Sequence, residues 1–259
     1  MKHSENQSIQ EELMSLRSPE KAAKLSRFFK TGKGQYGEGD KFLGIEGPMM
    51  KRIVASFADL PLEAVDELLS SPWHEVRMCG LLILVGQMKE TCKKAWTKHH
   101  TKAEAESARK RIFDFYLSHT EHINNWDLVD LTCPAIVGEY LIGKSHDTLY
   151  HLSESPLLWE RRIAMVSTLA FIRLGELGDT FSLASHFLAQ QENTAAPKMH
   201  DLMQKAIGWM LREAGKKDER ALLQFLDTNA SVMPRTMLRY SIERLTPAIR
   251  LRYMKGDIQ

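Results

Sequence analysis

Apolar residues recur along this chain with a helical period. The segments IVASFADL (53–60), VRMCGLLILVGQM (76–88), RIAMVSTLAFIRL (162–174) and LMQKAIGWMLREA (202–214) repeat them at i, i+3, i+4 and i+7. That spacing gathers side chains on one face of an α-helix. No segment alternates apolar and polar residues as a half-buried strand does, and Gly and Pro fall between the segments. Helices of about 8–18 residues joined by short links predict an all-α fold.

The pattern also repeats at longer range. LLSSPWHEVRMCGLLIL (68–84) echoes LSESPLLWERRIAMVSTLAFI (152–172): each has a Ser-rich start, a Pro at the helix entrance, a Trp, charged residues and a long apolar face. Pro72 and Pro156 lie 84 positions apart, and Pro197 opens a third candidate unit 41 further on. Half of the longer spacing falls within the roughly 40–47 residues of HEAT-type helical pairs. The expectation is therefore one helical-repeat domain over residues 1–259, with 1–17 either poorly ordered or a first short helix. Stacked pairs form a solenoid whose concave face suits an extended partner better than a small metabolite.

Composition narrows the field by exclusion. The 259 residues carry 35 Lys+Arg against 33 Asp+Glu, with 43% hydrophobic and 26% charged residues, which is ordinary for a folded chain. Cys79, Cys92 and Cys133 are widely spaced and include no CxxC pair, which offers no zinc framework and fits a reducing compartment. The polar first 21 residues hold no apolar h-region, so no secretory signal is expected. The longest apolar run, Leu81–Val85, is far short of the roughly 18 residues that span a bilayer. A cytoplasmic protein without a membrane association is expected.

Gly32-Lys33-Gly34-Gln35-Tyr36-Gly37 satisfies G-x-G-x-x-G. A dinucleotide fingerprint needs a strand before it and a helix opening after it. Here PEKAAKLSRFFK (19–30) reads as a helix and EGDKFLGIEGP (38–48) as a loop, which predicts a connection between helices. Its backbone, beside Lys30, Lys33 and Lys41, remains available to phosphates.

The net charge of +2 conceals segregation. Lys93 to Arg111 holds seven cations and two acids, and Arg235 to Lys255 holds six cations and one acid. Ile53 to Val76 holds five acids and no Lys or Arg. Such a distribution fits either a surface that attracts a polyanion or a set of solvated helix faces.

Three Trp-centred groups carry candidate chemistry. In NNWDLVD (124–130), Asn125 is a good N-cap, and Trp126 and Asp130 stand at i and i+4 on one face. The alternative for this acid is a first-turn carboxylate favoured by the helix dipole. In WERRI (159–163), adjacent Arg161 and Arg162 point to different sides of a helix. In QKAIGWMLRE (204–213), Lys205, Trp209 and Arg212 form a cation–aromatic–cation stripe, with Gly208 permitting close approach by a ligand or another helix.

These groups, in this order and together with RFFKTGKGQYGEGDKFLGI (27–45), resemble the AlkD-like DNA alkylation repair family of HEAT-repeat DNA glycosylases. The resemblance spans most of residues 20–250. It implies excision of N3- and N7-alkylated purines, such as 3-methyladenine and 7-methylguanine, from double-stranded DNA by a monomer that needs no cofactor or metal. By motif position Asp130 is similar to the catalytic carboxylate, and Trp126 and Trp209 to the indoles that contact the lesion nucleotide. Arg162, with Arg161 as its neighbour, matches the arginine near the DNA backbone, and Phe28 stands where relatives can carry Tyr. Lys30, Lys33, Lys205 and Arg212 are added as DNA-binding cations from their placement beside these motifs.

The residue types suit that reaction. N3- or N7-alkylation makes a purine a cationic leaving group, and breaking its glycosidic bond develops oxocarbenium character on the sugar. A fixed carboxylate stabilises that charge and orients water, and indole faces favour cations. The competing readings are a HEAT-type scaffold without chemistry and a DNA-structure binder without excision activity.

Overall fold

The computed structural model describes residues 2–192 and 198–256. Among them every regular element is helical, and the sole extended pairing is an isolated bridge between Lys41 and Trp73. The all-α expectation and the HEAT-like pairing of helices hold. Packing divides the chain into two compact units, Met1–Ile136 and Val137–Gln259.

In the first unit the helix His74–Glu90 is the hub. Its residues from His74 to Leu81 are all buried, as are Ile83, Leu84, Val85 and Met88, so it is enclosed nearly all round. Such a helix must be covered on several sides. Lys2–Ser15, Gly47–Ser56, Leu62–Leu69, Lys102–Ser118 and Trp126–Cys133 all pack on it. Ile9 and Leu13 tie the N-terminal helix into this core, both fully buried.

The hub of the second unit is Asp201–Lys217, packed against Leu158–Ser167, Leu169–Leu174, Gly178–Glu192, Glu219–Asn229 and Arg235–Ser241. The two echoing segments fold alike. A short helix (Leu62–Leu69; Asp147–Ser153), a Ser-Pro turn and a longer helix (His74–Glu90; Leu158–Ser167) pack as a pair in each unit. The third candidate start, Pro197, lies outside the described residues.

The sequence pattern misplaces some of the punctuation. Gly80 and Gly208 sit inside helices, and Pro134 continues the helix begun at Trp126 as a π-turn over Pro134–Gly138. Pro134 has no N–H to give the ladder, which accounts for the altered hydrogen-bond pattern there. Gly208 is required by helix contact: a Cβ there would lie 2.5 Å from Tyr240 Cβ and 2.6 Å from the Met237 carbonyl oxygen. Of the two partners open to it in the sequence, another helix is the one observed.

Gly208→Ala is therefore expected to lower stability by about 1–3 kcal/mol through overpacking. Thermal unfolding checks this, and an unchanged midpoint would contradict the close approach.

Candidate functional site

The helix Trp126–Cys133 starts where the sequence places it. Asn125 is extended (φ −148°, ψ 156°) and its side-chain oxygen accepts the Trp126 N–H at 2.9 Å. Leu128 and Val129 turn fully into the core. Trp126 and Asp130 are left half-buried, one turn apart on the same face. Beneath the helix, the buried Tyr116 hydroxyl meets Thr132 Oγ1 at 2.9 Å. Burial first, and the charge of Asp130 as a lesser cause, push that phenol up and keep it neutral.

The N-terminal end of this helix is fastened by a buried ionic cluster. His74, 2% exposed, places Nδ1 2.8 Å from Asp40 Oδ2 and Nε2 2.9 Å from Asp127 Oδ2. Arg77 donates to Asp40 Oδ1 at 2.5 Å, to Asn124 Oδ1 at 3.1 Å and to the Ser71 carbonyl at 2.8 Å. Asn125 Nδ2 donates to Asp40 Oδ2 at 3.3 Å. Three of the four residues Asn124–Asp127 thus reach back to the loop or the hub helix. Burial alone would lower the His74 pKa, but the hydrogen bonds and charges of Asp127 and Asp40 outweigh it and raise it to about 9. Burial would likewise raise Asp40, but His74 and Arg77 hold it below its ordinary value.

Rings join this cluster to the surface. Phe42 stacks on His74 at 4.5 Å, Phe29 on Phe42 at 5.0 Å, and Trp126 on Phe29 at 5.2 Å. Phe28, 63% exposed, meets Trp126 edge-on at 5.9 Å and adds an exposed ring beside the indole. The glycine-rich segment following Phe29 is a series of turns between helices, so it lacks the setting of a dinucleotide fingerprint. Gly37 is needed there because a Cβ would lie 2.4 Å from the Phe29 carbonyl oxygen. Lys30, at the loop entrance with φ 53°, and Lys33 are both exposed.

In the second unit Arg161 and Arg162 do leave their helix in different directions. Arg161 donates to Gln190 Oε1 at 2.7 Å and lies over the Phe187 ring, while Arg162, 5% exposed, donates to the Leu202 carbonyl of the hub helix. The cations of the stripe are engaged: Lys205 pairs with Asp201 at 2.6 Å, and Arg212 pairs with Glu243. Half-buried Trp209 lines an open cavity of about 450 Å³ with Leu169, Ile172 and the cations Arg173, Lys216 and Lys217.

The sequence reading missed the ionic cluster. No sequence motif singles out His74, yet its ring is buried between two carboxylates. The same reading counts Glu75 among surface acids, whereas that carboxylate is buried and accepts the N–H groups of Leu43, Gly44 and Ile45. His200 caps the second hub helix, its Nδ1 accepting the Leu202 N–H at 3.2 Å. The available signal was the joint presence of His, Arg and two Asp inside otherwise apolar stretches.

The paired helices define a helical-repeat protein, whose first unit presents a half-buried indole and a half-buried carboxylate and carries a loop with exposed lysines. A family model described as DNA alkylation repair enzyme matches residues 9–245, and the chain belongs to that family. No curated protein and no solved structure matches the chain. Among the described residues no helix is long and apolar enough to cross a membrane.

Folded His74 holds its proton more tightly than the unfolded ring. Its contribution to stability is complete below the unfolded pKa of 6.5 and is lost as pH rises through about 9. A stability loss of about 3 kcal/mol over that interval is expected for the wild type but not for His74→Gln. Urea unfolding at both ends of the interval checks it, and an equal pH dependence in the two proteins would contradict it.

Proposed function

We propose that the protein is a monofunctional DNA glycosylase that releases N3- and N7-alkylated purines, including 3-methyladenine and 7-methylguanine, from double-stranded DNA. The observation that carries this reading is the half-buried Asp130 carboxylate, one helical turn from the half-buried Trp126 indole. Membership of a DNA alkylation repair enzyme family supports it.

In this reading the alkylated purine leaves with the electron pair of its glycosidic bond, which neutralises the base. Positive charge passes to C1′ and the ring oxygen of the deoxyribose, where Asp130 stabilises it. A water oriented by the same carboxylate bonds to C1′ and gives up one proton, leaving an abasic site. Trp126 and Trp209 offer π-faces to the cationic lesion and sugar, and Phe28 adds a ring beside Trp126. Lys30 and Lys33, exposed on their loop, contact phosphates, and half-buried Arg161, Lys205 and Arg212 are assigned to DNA, whereas Arg162, buried and donating to the Leu202 carbonyl, holds its helix in place. Lesion lability and charge supply selectivity in place of a tight pocket for a flipped base.

The test is release of 7-methylguanine from methylated duplex. Asp130→Asn is expected to slow it by at least about 100-fold, the scale of losing one transition-state charge contact. Equal rates would remove Asp130 from catalysis. No release by either protein would favour a scaffold or a DNA-structure binder. Strand nicks before heat or alkali would overturn the monofunctional assignment. Duplex affinity is expected to fall steeply with salt through counterion release, and to fall less steeply in Lys30→Gln/Lys33→Gln. Titration at two salt concentrations checks this, and an unchanged slope in the double variant would remove those lysines from the phosphate contact.

A further inference from the structure

We infer that His74 is a positioning residue: its ring, gripped by Asp40 on one side and Asp127 on the other, fixes the first turn of the Trp126–Cys133 helix and so aims Trp126 and Asp130. The catalytic consequence rests on the proposed function, whereas the mechanical one does not.

The geometry demands a doubly protonated ring. Both nitrogens face carboxylate oxygens, at 2.8 and 2.9 Å, and only an imidazolium carries N–H on both. A neutral ring serves one carboxylate and turns a lone pair towards the other. Among the described residues, the charged groups on and around His74 come from three elements. Asp40 comes from the glycine-rich loop, Asp127 from the Trp126 helix, and Arg77 and Glu75 from the hub helix. The Glu75 carboxylate is committed to the N–H groups of Leu43, Gly44 and Ile45. Asn124 and Asn125 are neutral, and Phe29 and Phe42 cover the ring. His74 and Arg77 therefore balance Asp40 and Asp127, and losing one proton leaves a buried negative charge.

The two carboxylates differ in what they retain. Asp40 also holds Arg77 and Asn125. Among the described residues, Asp127 has His74 through one oxygen and, through the other, only the N–H of its own neighbour Leu128. Deprotonation thus releases Asp127, the anchor next to Trp126, before it releases Asp40. The stack His74–Phe42–Phe29–Trp126 gives the indole a second mechanical link to the same ring.

The experiment compares wild type, His74→Gln and Asp127→Asn between about pH 6 and pH 10. Single-turnover release of 7-methylguanine is measured beside intrinsic fluorescence, with Trp126→Phe identifying that indole's share. Wild-type release is expected to decline as pH rises through about 9, with the Trp126 signal changing in parallel. Asp127→Asn removes one of the two carboxylates that hold the proton, so both transitions should move down by about one pH unit or more. His74→Gln should be at least about 10-fold slower at every pH and lack the transition, with circular dichroism confirming its helix content. A merely structural histidine would not tie the pH of the decline to residue 127, so superimposable wild-type and Asp127→Asn profiles overturn the inference. If wild type releases no methylguanine, the proposed function fails by itself. The fluorescence titration then decides the positioning role: a Trp126 transition that Asp127→Asn displaces supports it, and its absence contradicts it. Where Asp127→Asn does not fold, the wild-type titration read against Trp126→Phe decides: a Trp126 transition near pH 9 supports the role and its absence contradicts it.

Discussion

The first unit depends on keeping a positive histidine away from water. Burying an imidazolium is costly unless charge and hydrogen bonds replace its hydration. Here Asp40 and Asp127 replace it, Arg77 balances the second carboxylate, and Asn125 occupies a remaining acceptor position. Such a cluster is weak evidence of added stability, since an apolar filling of similar volume is often as stable. Its physical effect is directional. It joins three segments distant in sequence, namely the glycine-rich loop, the hub helix and the start of the Trp126 helix, in one register. Removing one partner leaves the others as uncompensated buried charges, at a cost of about 3–5 kcal/mol.

The helical framework explains why this fastening is needed. A short helix such as Trp126–Cys133 has little intrinsic stability and forms through tertiary packing. Leu128, Val129, Thr132 and Cys133 supply the buried face, but packing alone leaves the first turn able to fray. The ionic cluster and the Asn125 cap hold that turn. A carboxylate and an indole, one turn apart, can then be presented half-buried on the opposite side. In the second unit an analogous task falls to Arg162, which ties Leu158–Ser167 to the hub helix through the Leu202 carbonyl. Gly208 does the same by allowing Arg235–Ser241 to approach closely.

Much of the architecture was legible in the sequence because it follows from period alone. The apolar spacing located the hub helices, Asn125 marked a helix start, and the echo of 68–84 in 152–172 marked two equivalent helix pairs. The same rules misjudged Gly80 and Gly208, because a helix-breaking propensity of about 1 kcal/mol is outweighed where two helices must nearly touch. The surface half of the candidate site was also legible, since Trp126, Asp130 and Phe28 stand in recognisable local motifs. Its supporting half was not. His74, Asp40 and Asp127 are separated by 34 and 53 residues, and no local spacing rule links them. Charge along the chain misled for a related reason: Glu75 counts as an acid in sequence yet is spent on three backbone N–H groups, and Lys205 and Arg212 count as cations yet are paired.

The central claim, that a charged histidine organises the unit carrying Trp126 and Asp130, is open to direct observation. Nitrogen-15 NMR of the imidazole ring in the intact protein reports which of its nitrogens carry protons. The account predicts that His74 is protonated on both nitrogens at neutral pH and stays so until pH approaches about 9. A His74 ring that is neutral at neutral pH, with a single protonated nitrogen, would contradict it.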